Sequence, residues 1–150
     1  FEQLIDPQHP LTEFITGLTG ITDRMLQGMP TAGAAMMRFH QWIDHVWPAG
    51  EPLTIIAHNA QFDVSFLDVA ERVYDPTSPV FDCKWACTKE MSWELNPQKR
   101  HHRVADLIVD YHIGDVEEHR ALSDAIQEQM LYQALCAEAT RRGKWNERED

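Results

Sequence analysis

Apolar residues recur at threes and fours along residues 31–47, where Ala35, Met36, Phe39, Trp42, Ile43 and Val46 share one face, and this spacing predicts a helix. Pro48-Ala49-Gly50 ends it. Leu53-Thr54-Ile55-Ile56-Ala57-His58 breaks the pattern. It is a continuous run rich in β-branched residues, as expected for a strand buried on both faces of a mixed or parallel sheet. Asn59 is placed to cap a second helix bearing Phe62, Val64, Phe66, Leu67, Val69, Ala70 and Val73, which stops at Asp75-Pro76. Beyond Gly114, residues 120–138 form the longest predicted helix, with Ala121, Ala125, Ile126, Met130, Leu131, Ala134 and Leu135 on its inner side.

Shorter elements fill the intervals. Phe1–Ile5 alternates and stops at Asp6-Pro7, which reads as the end of a strand. Pro10–Gly20 reads as a loop, closed by a turn at Gly20, with Thr22 or Asp23 capping a short helix through Met25 and Leu26. Val80-Phe81-Asp82-Cys83 is a strand candidate, Lys84–Glu94 a short helix, Asn96-Pro97 a turn and Arg103–His112 a further helix. Strands alternating with helices make the chain α/β. A single domain is expected over residues 1–140, followed by a charged tail over 141–150.

Composition fits a globular chain of 150 residues, 43% hydrophobic and 25% charged. No apolar run approaches the roughly 18 residues of a membrane span, and no secretory signal opens the chain, so no membrane partner is expected. Three sparse cysteines, Cys83, Cys87 and Cys136, favour a reducing compartment, with cytoplasm the expected location. Thirteen basic residues against 24 acidic ones give a net charge of −11, which argues against broad electrostatic binding of a duplex. An enzyme that recruits divalent cations is compatible with that charge, because the cations supply the positive field that meets a phosphate.

Two segments about sixty residues apart carry candidate chemistry: His58-Asn59-Ala60-Gln61-Phe62-Asp63 and His119-Arg120-Ala121-Leu122-Ser123-Asp124-Ala125. Asp63 follows the predicted strand into the first helical turn, at the strand's carboxyl end, where open α/β sheets place ligands and where the helix dipole favours an ionised carboxylate. His119 and Asp124 would stand about 140° apart on a regular helix, so they converge only if His119 lies in the loop before it. There it would stay neutral near pH 7, as a general base must. Two carboxylates and a histidine suit a phosphodiesterase dependent on Mg2+ or Mn2+, since such ions take hard oxygen ligands and activate water. Taken singly, each aspartate also reads as a cap or a solvated carboxylate, and the histidine as a surface residue.

These segments, with Leu18-Thr19-Gly20-Ile21-Thr22, Phe66-Leu67 and Phe81-Asp82, resemble the DEDDh family of 3′–5′ exonucleases, the group that includes the proofreading subunit of bacterial DNA polymerase III, RNase T and oligoribonuclease. The resemblance spans most of the chain. It implies a ribonuclease H-like fold, Asp63 and Asp124 as metal ligands, and His119 as the base that takes a proton from the attacking water. It also implies a substrate lip at Leu18, Thr19 and Gly20, with Asn59 near the strand end of a single-stranded DNA or RNA 3′ terminus. Two Mg2+ or Mn2+ ions and a DNA polymerase subunit as partner follow from the same likeness.

The family's first motif, an Asp-x-Glu on an opening strand, has no counterpart at Phe1–Asp6, where Glu2 and Asp6 are wrongly spaced. The expectation is therefore an N-terminally truncated piece of an exonuclease, lacking its first strands and weak or inactive in isolation. The alternative is a non-catalytic nucleic-acid- or polymerase-binding module of the same fold.

Three further groupings carry weaker signals. Cys83, Cys87, His101 and His102 match zinc spacing in part, but adjacent histidines fit a tetrahedral site poorly, and packing of the cysteines on a short helix is the better reading. The run Gln98–Arg103 reads as a basic loop, either solvated or near the substrate backbone. Trp85 and Trp93 read as core or as a base-stacking platform, with core preferred.

Overall fold

The strand expected at Leu53–His58 forms as β1 (Thr54–Ala57) and is followed at once by α4 (Ala60–Tyr74). Upstream lie α1 (Glu13–Thr19), α2 (Asp23–Leu26) and α3 (Ala32–Val46); downstream lie β2 (Lys84–Cys87), α5 (Thr88–Leu95), α6 (Val104–Asp110) and α7 (Ala121–Arg141). This is a computed structural model, and it describes residues 1–77, 80–115 and 120–144. β1 and β2 pair in a two-stranded parallel sheet, the crossover between them passing through α4. No helix among the described residues is long and apolar enough to cross a membrane.

The described residues fall into two compact units, one of Phe1–Leu53 with Gln61–Lys84, the other of Thr54–Ala60 with the chain from Trp85 onward. In the first, an aromatic layer holds α3 in place. Phe39 lies 5.4 Å from Phe1, 6.0 Å from Trp42 and 5.8 Å from Phe81 between ring centroids. His40 stacks on Tyr74 at 5.1 Å and bonds Glu71, a carboxylate only 5% exposed, at 2.8 Å. α3 and α4 meet at Gly33, where an added Cβ would lie 3.4 Å from the Val73 carbonyl oxygen.

Three expectations change in this unit. Phe1–Ile5 is not a strand; no neighbouring strand pairs with it among the described residues, and the Phe1 ring instead packs at a tilt against Phe39 and Trp42 of α3. The segment read as a loop contains α1. Thr12 accepts the Ile15 N–H at 3.3 Å and Gly20 closes the helix at φ 69°, so caps at both ends outweigh the weak internal pattern. α4 turns inward the stripe through Val64, Leu67 and Glu71 and leaves Phe62, Phe66, Val69 and Val73 exposed, because its apolar residues cover more than one face and the unit packs the other.

The second unit is built around α7. Leu95, Leu107, Leu131, Leu135 and Ala139 form its core, with Met91, Tyr111 and Ile113 packed against them. Each wholly buried leucine contributes roughly 1.5–3 kcal/mol. α6 ends in a Schellman arrangement: His112 takes φ 57°, its N–H bonds Val109, and Ile113 N–H bonds Ile108 at 2.7 Å, which turns Ile113 back onto the core. α7 ends the same way at Gly143, with Lys144 N–H on Ala139.

Here too the pattern shifts. The strand expected at Val80–Cys83 lies four residues later, and Lys84–Cys87, expected as helix, pairs with β1 before α5 begins at Thr88. The β-favouring Trp85 and Cys87 gain a ladder there, which local helix propensity does not match. β1 is half-buried rather than enclosed on both faces: of its residues only Ala57 is buried, and α7 packs against the strand within its unit. α7 is also rolled from the expected face, with Leu131, Leu135 and Ala139 wholly buried and Ile126 half exposed.

Candidate functional site

The inward stripe of α7 runs Asp124, Gln127, Glu128, Leu131, Leu135 and Ala139, at spacings of three and four. Its first three residues are polar and its last three aliphatic. Gly114 makes room for that polar end, since a Cβ there would lie 3.1 Å from Gln127 Nε2. Asp124 Oδ1 is buried with no hydrogen-bond partner among the described residues. An unpaired buried carboxylate oxygen costs stability, and it is also a hard donor of the kind a divalent cation takes.

Asp63 occupies the first turn of α4, where the sequence placed it. Burial pushes its carboxyl above the ordinary aspartate range, and a hydrogen bond to its own backbone N–H opposes part of that rise. Asp63 belongs to the first unit and Asp124 to the second. His119 lies outside the described residues. No cluster of three or more potential metal-ligating side chains occurs among the described residues.

Around β1's carboxyl end the second unit buries a chain of polar groups. The Thr88 hydroxyl donates to the Glu128 carboxylate, and His58 Nδ1 lies 3.0 Å from the same hydroxyl oxygen. Because the Thr88 proton goes to Glu128, the Thr88 oxygen is open to a donor on its His58 side, and the imidazole tautomer sets the direction of that contact. Burial holds His58 below the ordinary histidine range, as do the charges of Lys89 and His102, while a hydrogen bond with the His102 backbone raises it. One turn along α5, the Ser92 hydroxyl meets His102 Nδ1 at 2.8 Å, and the His102 ring stacks on Trp93 at 4.5 Å. Trp93 is thus half exposed and occupied by a protein ring, neither core nor an open platform.

The softer assignments land as follows. Leu18 and Thr19 end α1; Leu18 is exposed beside Phe14 and Ile15, while Thr19 Oγ1 donates to the Ile15 carbonyl at 2.8 Å and accepts the Ile21 N–H at 3.1 Å. Gly20 has open space around its α-carbon. Asn59 takes φ 66°, outside the extended backbone of a helix cap, and its Oδ1 accepts from Lys89 Nζ at 3.3 Å. The basic loop is largely neutralised from within: Lys99 pairs with Asp110, and Arg103 grips Asp106 at 2.7 and 3.0 Å. A cavity of about 690 Å³ in the first unit, walled by His40, Trp47, Glu71 and Phe81, touches none of the expected site residues.

Sequence reasoning missed Thr88 and Glu128. Glu128 was within reach, since it stands four residues from Asp124 on the same stripe. Thr88 was not, because its role depends on the strand boundary that the pattern misplaced.

Comparison with known proteins supplies the context. Residues 1–131 match the family model RNase_T, described as an exonuclease. The chain is 34% identical over 145 residues to a DNA polymerase III PolC-type of Halalkalibacterium halodurans, 33% over 147 residues to that of Bacillus subtilis and 35% over 144 residues to that of Lacticaseibacillus paracasei. Those alignments cover 94–95% of this chain but 9% of each relative, so the chain spans about a tenth of their length. Among solved structures, exonuclease X in complex with 5′ overhanging duplex DNA superposes with a TM-score of 0.53 at 17% identity, over 95% of this chain and 73% of that one. At that identity the likeness speaks for the fold, which is ribonuclease H-like.

Proposed function

The chain belongs to the RNase_T exonuclease family, and from that premise we propose that it is the catalytic part of a metal-dependent 3′–5′ exonuclease acting on the 3′ end of a single nucleic-acid strand. The observation that carries this reading is Asp124: its segment resembles the family's third motif, and its Oδ1 is buried without a partner among the described residues on the polar end of α7. Asp63, in the first turn after β1, is the second proposed ligand. The carboxylate donors fit Mg2+ or Mn2+. When bound, two such ions would supply Lewis acidity to the water and charge balance to the phosphate.

The chain's own residues have distinct tasks in this scheme. Asp63 and Asp124 hold the ions, His119 takes the proton from the attacking water, and Leu18, Thr19, Gly20 and Asn59 position the terminal nucleotide. The relatives' name supports a place beside a DNA polymerase, as in proofreading.

The test is a Mn2+ titration followed by the loss of the free-ion EPR signal, with digestion of single-stranded DNA and RNA labelled at the 5′ end. Mn2+ binding lost in Asp124→Asn, with slow shortening from the 3′ end, supports the reading. Binding of an oligonucleotide with no role for Mn2+ or Asp124 would favour the non-catalytic module instead.

A further inference from the structure

The Glu128–Thr88–His58 chain joins three elements within the second unit: the second turn of α7, the first residue of α5 and the end of β1. Its partners lie 40 and 30 residues apart in sequence, so no local preference accounts for it. Thr88 is wholly buried. His58 and Glu128 are half-buried beside it, and the desolvation cost of these polar groups is offset while they stay paired. The chain therefore has one low-energy geometry.

Asp124 stands one turn before Glu128 on the same stripe, and its Oδ1 is a carboxylate oxygen buried without a partner among the described residues. Left to itself the start of α7 would roll or lift to bring that oxygen to water. Ser123 Oγ, which donates to the Arg120 carbonyl at 3.0 Å, stays within the first turn and opposes no roll. The bond from Glu128 to Thr88 does oppose it at the polar end of the stripe, as the buried Leu131 and Leu135 do further along the helix.

We propose that Glu128, Thr88 and His58 are positioning residues that lock the first turns of α7 against the end of β1 and so present Asp124 to a divalent cation. The proposal rests on the reading of Asp124 as a metal ligand. Glu128 fixes the direction of the whole chain: as long as its carboxylate takes the Thr88 proton, His58 is held as the Nδ1–H tautomer. Without Glu128 the Thr88 hydroxyl is free to donate to His58, and the tautomer preference reverses to Nε2–H.

The experiment uses the 150-residue chain with Mn2+ as probe, 15N NMR of the imidazole nitrogens and thermal melting. Wild type is expected to show His58 protonated at Nδ1. Glu128→Leu and Thr88→Val should lose that preference and weaken Mn2+ binding about 10-fold, the scale of supporting residues around a metal ligand. Thr88→Ser and Glu128→Gln, which keep a hydroxyl and an acceptor oxygen, should restore both. If Glu128→Leu fails to fold, the Thr88 pair carries the same comparison. Loss of the tautomer with unchanged Mn2+ affinity overturns the positioning role. So does a wild-type His58 protonated at Nε2. Unchanged Mn2+ affinity in Asp124→Asn instead removes the metal reading itself, and the NMR result tells the two failures apart.

Discussion

Asp124 and Glu128 stand one helical turn apart on the inward stripe of α7, yet Glu128 takes the Thr88 hydroxyl proton while Asp124 Oδ1 has no partner among the described residues. Two acidic side chains on one stripe should thus respond to mutation with opposite signs. Asp124→Asn replaces a carboxylate whose Oδ1 is buried without a partner among the described residues and should stabilise the metal-free protein by about 1 kcal/mol; Glu128→Leu removes the carboxylate that a buried hydroxyl donates to and should destabilise it by about 1–3 kcal/mol. Urea unfolding with EDTA present measures both.

Asp63 gives a prediction with a pH signature. Its carboxyl is raised in the folded state, by burial first, so the fold favours the protonated form. That contribution is present in acid below the unfolded pKa and is lost as pH rises through the raised folded value. Asp63→Asn should therefore melt higher than wild type at pH 7, and the difference should vanish near pH 3. A melting difference independent of pH would contradict it.

His58 runs the other way. Burial lowers its pKa, so its contribution to stability is present above the ordinary histidine range and lost as pH falls through the lowered value. Cooling of Tm on going from pH 7.5 to pH 5 should be shallower in His58→Gln than in wild type. Parallel pH profiles would show that His58 is not buried in the neutral form.

Long periodic segments were legible in the sequence. α3, α4 and α7 form within a few residues of where the spacing put them, because three- and four-residue repeats over 15 residues or more define a helix by themselves. Which face turns inward was less legible. In α4 and α7 apolar residues occupy more than half the circumference, and the choice is made by partners far away in sequence. β2 and α1 were misread for a different reason: four- and seven-residue elements depend on a ladder or on caps more than on their own pattern. The placement of Asp63 and Asp124 in first helical turns was readable because each lies at an element boundary that the pattern located, whereas the Thr88–Glu128 bond needs a register that single-sequence spacing does not carry.

The roll of α7 is itself testable. Leu131 is fully buried and Ile126 is 50% exposed, although the sequence placed both inside. Leu131→Ala should cost about 2–5 kcal/mol and Ile126→Ala under about 1 kcal/mol. Equal losses would restore the face expected from sequence.

Gly33 ends up governing something distant from itself. It sets how closely α3 approaches Val73 near the far end of α4, and Asp63 lies ten residues up that helix, about 15 Å away at 1.5 Å per residue. A bulkier side chain wedged at Gly33 and tilting α4 by about 4° would swing Asp63 by about 1 Å, a displacement that in a catalytic constellation costs about 100-fold in rate. With its fulcrum at a glycine, α4 would act as a lever, so a residue with no chemistry of its own would set where the proposed ligand Asp63 stands.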